Sequence, residues 1–346
     1  MKTHRLSVSL FLALALAGAP RLRAQCHVFT HEHVDLLSVR WNAGGAALSL
    51  MASDDHHGAL YASNQCVVVC PESMRFTLPA GTPLGNEGEP LWILPQNPYA
   101  GAPHLGVSAE GVPPGTFNDP LSIELKRLEG PGHLLVWQAS GTGDIAIRMD
   151  TRDGIGATDT LTPFVGGHEH YNWGFTTSGV YRAYFQASAR RLDQSTNIVS
   201  PETPFTFHVL PLKPFEHWTA TNWPCECDLA IIAPGADPDT DSGVNAVEYV
   251  LGTDPRVATL SAWPTGGLVT ADGLTYGALT YTRDKAATDV SYDVVAASSL
   301  TWADWQTLTT VHERVDLGST ERVTVRDSVP IGSGFQRFYR LCVRLN

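Results

Sequence analysis

Leu134-Leu-Val-Trp-Gln-Ala-Ser140, Gly141-Thr-Gly143 and Asp144-Ile-Ala-Ile-Arg-Met-Asp150 read as two extended runs joined by a glycine turn, a β-hairpin. The same punctuation recurs on both sides. Strand-like runs at 46–51, 66–70, 90–95, 121–128, 133–139, 144–150, 179–189 and 204–210 are separated by Gly/Pro clusters. Gly179–Ala189 alternates like a late strand of an immunoglobulin-like sandwich, with Tyr181 placed as a corner tyrosine. Beyond a connector, the pattern resumes at 276–282, 291–297, 305–309, 321–327 and 335–343. The expected architecture is mainly β: an immunoglobulin-like β-sandwich over 25–212, a linker with a calcium loop and a short helix over 213–260, and a smaller β-sandwich over 261–346.

Composition agrees. The 346 residues carry 23 Lys+Arg against 35 Asp+Glu, a formal charge of -12, which argues against a basic nucleic-acid footprint. Only 17% of residues are charged, while 31 are Gly and 23 are Pro, which suits short strands and many turns and excludes a helical bundle or coiled coil. Lys2 and Arg5 precede an apolar run from Leu6 to Ala19, too short for a bilayer helix of ~20 residues and suited to a secretory signal. Residues 1–24 are therefore read as a signal peptide, with Gln25 beginning an exported chain that has no transmembrane segment. Its destination is the periplasm, the cell surface or the medium.

All six cysteines lie in the exported part, so disulfides are permitted. Cys66 and Cys70 fall on one face of one strand, where a mutual bridge is geometrically poor, so each is expected to have another partner or none. For Cys225-Glu-Cys227, a structural disulfide is a better reading than a thiol-metal or redox pair in a Pro-rich linker.

Two constellations carry chemistry. In the linker, Asp237-Pro-Asp239-Thr-Asp241-Ser-Gly243-Val-Asn245-Ala-Val-Glu248 offers oxygen ligands at loop positions 1, 3, 5, 9 and 12 and a backbone carbonyl at Gly243. That is the set a hard, seven-coordinate Ca²⁺ requires. Position 6 is Ser242 rather than glycine, so a residue with a Cβ must make the sharp turn, and weaker binding is expected. The competing reading is an acidic solvated linker. A helix from Asn245 to Leu251 would leave the loop and end at Gly252 and Pro255, with no regular helix entering, as in dockerin-like and thrombospondin-type loops.

The second constellation is His31-Glu-His33-Val-Asp35 together with His168-Glu-His170-Tyr-Asn172-Trp173. In a strand, residues i and i+2 share a face, so each His-x-His pair can converge on one ion. The candidate ligands are His31, His33, Asp35, His168, His170 and Asn172, with zinc favoured and copper or manganese as alternatives. A buried polar network of the same groups is the bland alternative. His56 and His57, after Asp54-Asp55, read as a solvated turn.

His31–Asp35, Pro90–Gln96, Gly130-Pro-Gly132 and above all the run from Gly167 to Tyr181 resemble the choice-of-anchor M domain, a surface-anchored repeat of bacterial exported proteins, over about Cys26–Leu210. The matching positions are His33, Asp35, His168, His170, Asn172 and Trp173. Relatives of that family sit beside metal-type ABC transporter components, so the resemblance implies a binding or relay role at the cell envelope rather than catalysis. This chain departs from the pattern by carrying one copy and no sortase motif. Residues 237–255 with 279–295, 300–305 and 336–344 resemble a C-terminal module of exported proteins from Verrucomicrobia-like bacteria, which implies presentation or sorting.

Catalytic signatures are thin. Gly141-Thr-Gly-Asp-Ile-Ala146 matches a dinucleotide fingerprint but joins two strands, and no nucleophile elbow or P-loop occurs. The leading reading is an exported, non-enzymatic metal-binding protein with a structural Ca²⁺ site. A metal-dependent hydrolase using the same histidines, with Glu169 or Glu32 as base, is the second. A carbohydrate-binding adhesin is the third, although Trp92, Trp137, Trp173 and Trp305 lie in strand-like runs that favour the core.

Overall fold

The structure is a computed structural model that describes residues 26–54, 56–259, 263–300, 304–332 and 336–346. The signal-peptide reading lies outside these residues. The fold is mainly β. Cys66–Cys70 is a strand with the bounds read from the sequence, and the runs 134–140 and 144–150 pair antiparallel as strands Leu134–Ala139 and Ile145–Asp150.

Three sheets share the larger core. One has seven strands, ordered His27–Phe29, Cys66–Cys70, Thr203–Val209, Gly179–Arg190, Ser122–Glu129 and Thr160–Leu161, with Asn197–Val199 also paired to Gly179–Arg190. A second runs Ile145–Asp150, Leu134–Ala139, Asn172–Phe175, Pro90–Leu94 and Arg75–Thr77. The third runs His168–His170, His104–Gly111, His33–Asn42, Ala47–Asp54 and Ala59–Tyr61. Phe185, Phe205 and Phe207 of the first sheet, Trp173 and Phe175 of the second, and Leu37, Leu105 and Val107 of the third form one apolar cluster.

Strict alternation along Gly179–Arg190 explains its packing: every second side chain from Tyr181 to Ala189 is buried. The Tyr181 hydroxyl donates to the carbonyl of Thr177 at 2.7 Å, the bond expected of a corner tyrosine. A Cβ on Gly132 would meet that hydroxyl at 2.7 Å, so the Gly130-Pro-Gly132 turn has to stay bare for the ring to seat. Trp92, Trp137 and Trp173 are buried, as their strand positions imply, while Trp305 is half-buried.

The connector departs from the one-helix expectation. Besides Asn245–Leu251, it holds Pro214–Asn222 and the single turn Leu229–Ile232. The first had readable signals: Pro214 sits at the start, where its missing N–H costs nothing, and Glu216 reaches back to the Lys213 N–H at 3.0 Å. Both longer helices are tied to Asp289, which accepts from the Phe215 N–H and the Tyr249 hydroxyl. The Cys26–Cys225 disulfide fastens the connector to the strand beginning at His27. Cys227 keeps a free thiol, and Cys66 and Cys70 are buried and unbridged, their thiols pushed up to about 12 by burial.

Two smaller sheets follow. Thr265–Ala271, Leu274–Asp284, Thr320–Pro330 and Thr310–Asp316 form one, and Gln306–Thr307, Val290–Ala297 and Phe338–Leu345 the other. Leu279, Tyr281, Val294, Ala296, Val323 and Val325 close a separate core between them. No helix among the described residues is long and apolar enough to cross a membrane.

Two outcomes follow from this packing. Tyr181→Phe removes one buried hydrogen bond and leaves the Thr177 carbonyl short of a donor, so urea denaturation should show a loss of about 1–2 kcal/mol at unchanged m-value. His208 lies against the connector helices, where burial, helped by the Arg182 charge, lowers its pKa to about 4. Between that value and the ordinary ~6.5 the unfolded chain binds the extra proton, so the contribution of His208 to stability should rise with pH across the window and fall on acidification. The difference in denaturation midpoint between wild type and His208→Gln, measured from pH 4 to 7, should therefore change with pH in that direction.

Candidate metal centre

The third sheet converts sequence spacing into a cluster. His33–Asn42 runs parallel to His104–Gly111, which pairs antiparallel with His168–His170. The register sets His33 beside His104, and Asp35 beside Gly106, which is in turn beside His170. His33 and Asp35 share a strand face, as do His168 and His170, and the register puts both pairs on one side of the sheet. Beyond Asp35 the pairing slips on both neighbours, a bulge that buries Leu36 and Leu37 in succession.

Gly106 makes the cluster possible. A side chain there would overlap Asp35 Oδ1 and come within 3.0 Å of His168 Nε2, so the bare backbone leaves the space over which the ligand atoms meet. His168 Nε2 lies 3.1 Å from Asp35 Oδ1 and 3.0 Å from His170 Nε2, and His33 Nε2 lies 3.6 Å from Asp35 Oδ1. Two triplets of ligand atoms, His33/Asp35/His168 and His33/His104/His170, each fall within 4.8 Å and share His33. The His104 and His170 rings stack with centroids 3.7 Å apart.

Outer contacts fix the rings. His170 Nδ1 donates to the Leu105 carbonyl at 2.9 Å, which leaves Nε2 as the lone-pair nitrogen. Burial, with the neighbouring imidazoles adding to it, lowers the His170 pKa to about 4, so the ring is neutral at pH 7, the form that binds a metal. His104 Nε2 donates to the Gln96 carbonyl at 2.9 Å.

The structure brings together four of the six residues read from the sequence: His33, Asp35, His168 and His170. The other two lie elsewhere. His31 is on the exposed turn before the strand, its Nδ1 2.9 Å from Thr30 Oγ1. Asn172 belongs to the next sheet, because the chain crosses between sheets at Tyr171; its side chain binds the backbone N–H and the amide oxygen of Gln96. It therefore stands one layer behind the cluster, holding the residue that orients His104. Spacing missed His104 and Gly106, since a single His after Pro103 has no partner within its own strand. Glu169 points to the other face, where it accepts from the Tyr171 hydroxyl, and Glu32 accepts from the N–H groups of Thr30 and His31. Glu169 is thereby turned away from the cluster, while Glu32 is held by backbone N–H groups beside it.

A second, separate group lies in the connector. Oxygens of Asp237, Asp239 and Asp241 fall within 4.8 Å of one another. Asp237 Oδ1, Asp239 Oδ2, Asn245 Oδ1 and Glu248 Oε2 are buried with no hydrogen-bond donor facing them. Burial, reinforced by the charges of Asp239, Asp241 and Asp237, raises Glu248 to about 7. The Asn245 amide nitrogen donates to the carbonyls of Ile231 and Ala233, so its oxygen is turned the opposite way. Ser242 takes the left-handed conformation at φ 75°, the strained turn expected where the loop lacks a glycine, and the Gly243 N–H donates to Asp241 at 2.7 Å. Four buried acceptors without donors carry an unmet electrostatic cost that a hard cation would relieve.

No family model matches the chain, and no curated protein matches it.

The loop geometry predicts that removing calcium with a chelator lowers the melting temperature. A ligand at about 100 times its dissociation constant contributes ~2.7 kcal/mol. Glu248→Gln should abolish the calcium-dependent part of the melting shift, and an identical melting curve with calcium and with chelator would dismiss the loop as a staple.

Proposed function

We propose that this chain is an exported, non-enzymatic bacterial envelope protein that holds a transition metal through His33, Asp35, His168 and His170, with His104 against them, and that a calcium ion bound by Asp237, Asp239, Asp241, Asn245 and Glu248 stiffens its connector. The observation that carries this reading is the convergence of imidazole nitrogens and one carboxylate over the bare backbone of Gly106. Mixed nitrogen and oxygen donors of this kind suit zinc, with copper or manganese as alternatives.

Glu169, one of the two candidate bases, is turned to the other face of the strand, which supports holding a metal over hydrolysing a substrate. The Cys26–Cys225 disulfide supports export to an oxidising compartment. Under this reading the quoted likeness to choice-of-anchor M domains and the C-terminal β module fit a protein presented at the cell envelope, and a metal-type ABC transporter is a fitting partner.

Metal analysis of protein purified from zinc-replete medium tests the proposal. Wild type should carry about one tightly held transition-metal ion per chain, and His168→Ala/His170→Ala should lose it while keeping its calcium-dependent melting behaviour. Wild-type protein that emerges free of transition metal would overturn the reading.

A further inference from the structure

The exposed turn 56–58 and residues 31–33 line one cavity of about 750 Å³, through His31, Glu32, His33, His56 and His57. Its inner wall, His33, belongs to the cluster over Gly106. A second cavity, of about 530 Å³, also has His31 and His33 in its lining, beside Tyr99 and His104. His31 and His33 therefore line both.

These outer side chains are oriented. His57 Nδ1 lies 2.7 Å from Oδ2 of the fully buried Asp54, whose Oδ1 also accepts from the His57 N–H at 3.2 Å. A carboxylate oxygen accepts at that distance, so Nδ1 donates the proton and Nε2 is left as the lone-pair nitrogen on a solvent-facing ring. This carboxylate–histidine arrangement is the one that prepares metal ligands. Glu32 is fixed in the same way, its carboxylate accepting from the N–H groups of Thr30 and His31 at 2.8 and 3.0 Å. Among the described residues, the ring nitrogens of His31, His56 and His57 are not already gathered within 4.8 Å as the inner ligands are. Closing them on an ion costs ordering of exposed side chains, so this place binds more weakly than the inner one.

We propose that His31, Glu32, His56 and His57 form a second, outer site for a borderline divalent cation such as Zn²⁺, which captures the ion and passes it through His33 to the cluster over Gly106. This rests on the reading of the inner cluster as a metal centre. The imidazole majority sets it apart from the all-oxygen connector loop, which takes calcium.

The test is a Zn²⁺ titration of the full chain in saturating calcium, against a chromophoric chelator, with stopped-flow loading of the metal-free protein. Wild type should show one tight and one weaker class of Zn²⁺. His31→Ala/His57→Ala changes only exposed rings; it should lose the weaker class, keep the tight one and load it more slowly. Asp54→Asn should weaken the outer class by roughly tenfold. His168→Ala/His170→Ala should remove the tight class alone. A wild type with only the tight class, or a His31→Ala/His57→Ala variant with both classes and unchanged loading, overturns the outer site and leaves the inner one standing. A wild type that binds no Zn²⁺ overturns both.

Discussion

The parallel pairing of His33–Asn42 with His104–Gly111 is the constraint on which the candidate centre depends. It sets Asp35 beside a residue with no side chain, and the antiparallel strand His168–His170 then delivers two imidazoles over the same bare stretch. A one-residue slip would turn every one of these groups to the opposite face. The apolar residues between them hold the register, because Val34, Leu105 and Val107 are wholly buried and cannot be turned outward without exposing the core.

That arrangement places a polar cluster at the edge of a large apolar one. Leu36 and Leu37, successive in sequence and both buried, are accommodated by the bulge after Asp35, which lets the strand leave the cluster and rejoin the core. On the far side, Tyr171 marks the crossing from the histidine strand to the strand bearing Trp173. The clustered histidines and Trp173 are thus close in the chain yet belong to different sheets. Rigid packing on both sides of the histidines reduces the ordering that a bound ion would otherwise require.

The connector follows the same physical logic with different chemistry. Its acceptors are buried because Asn245 uses its amide nitrogen to close the turn Leu229–Ile232, and because Tyr249 and Val250, on the helix that carries Glu248, pack against Ala287 and Val290. Burial, with the repulsion of the neighbouring carboxylates added to it, is what raises Glu248. One disulfide and the paired bonds to Asp289 then make the connector a mechanical joint between the large core and the C-terminal sheets.

Turn punctuation and apolar alternation sufficed for strands such as Cys66–Cys70 and Gly179–Arg190, because those signals act within a few residues. The same local character made the acidic loop legible, since its carboxylates lie within one short segment and Ser242 had to take the strained turn. His-x-His spacing likewise fixed that His33 shares a face with Asp35, and His168 with His170. Tertiary structure alone decided that these two pairs meet, that His104 joins them, that Asn172 stands behind Gln96, and that His31 stays outside. Each of these depends on which strands are neighbours and in what register. Pairing between distant segments is set by the burial of the whole core, and no single strand carries that information in its own periodicity.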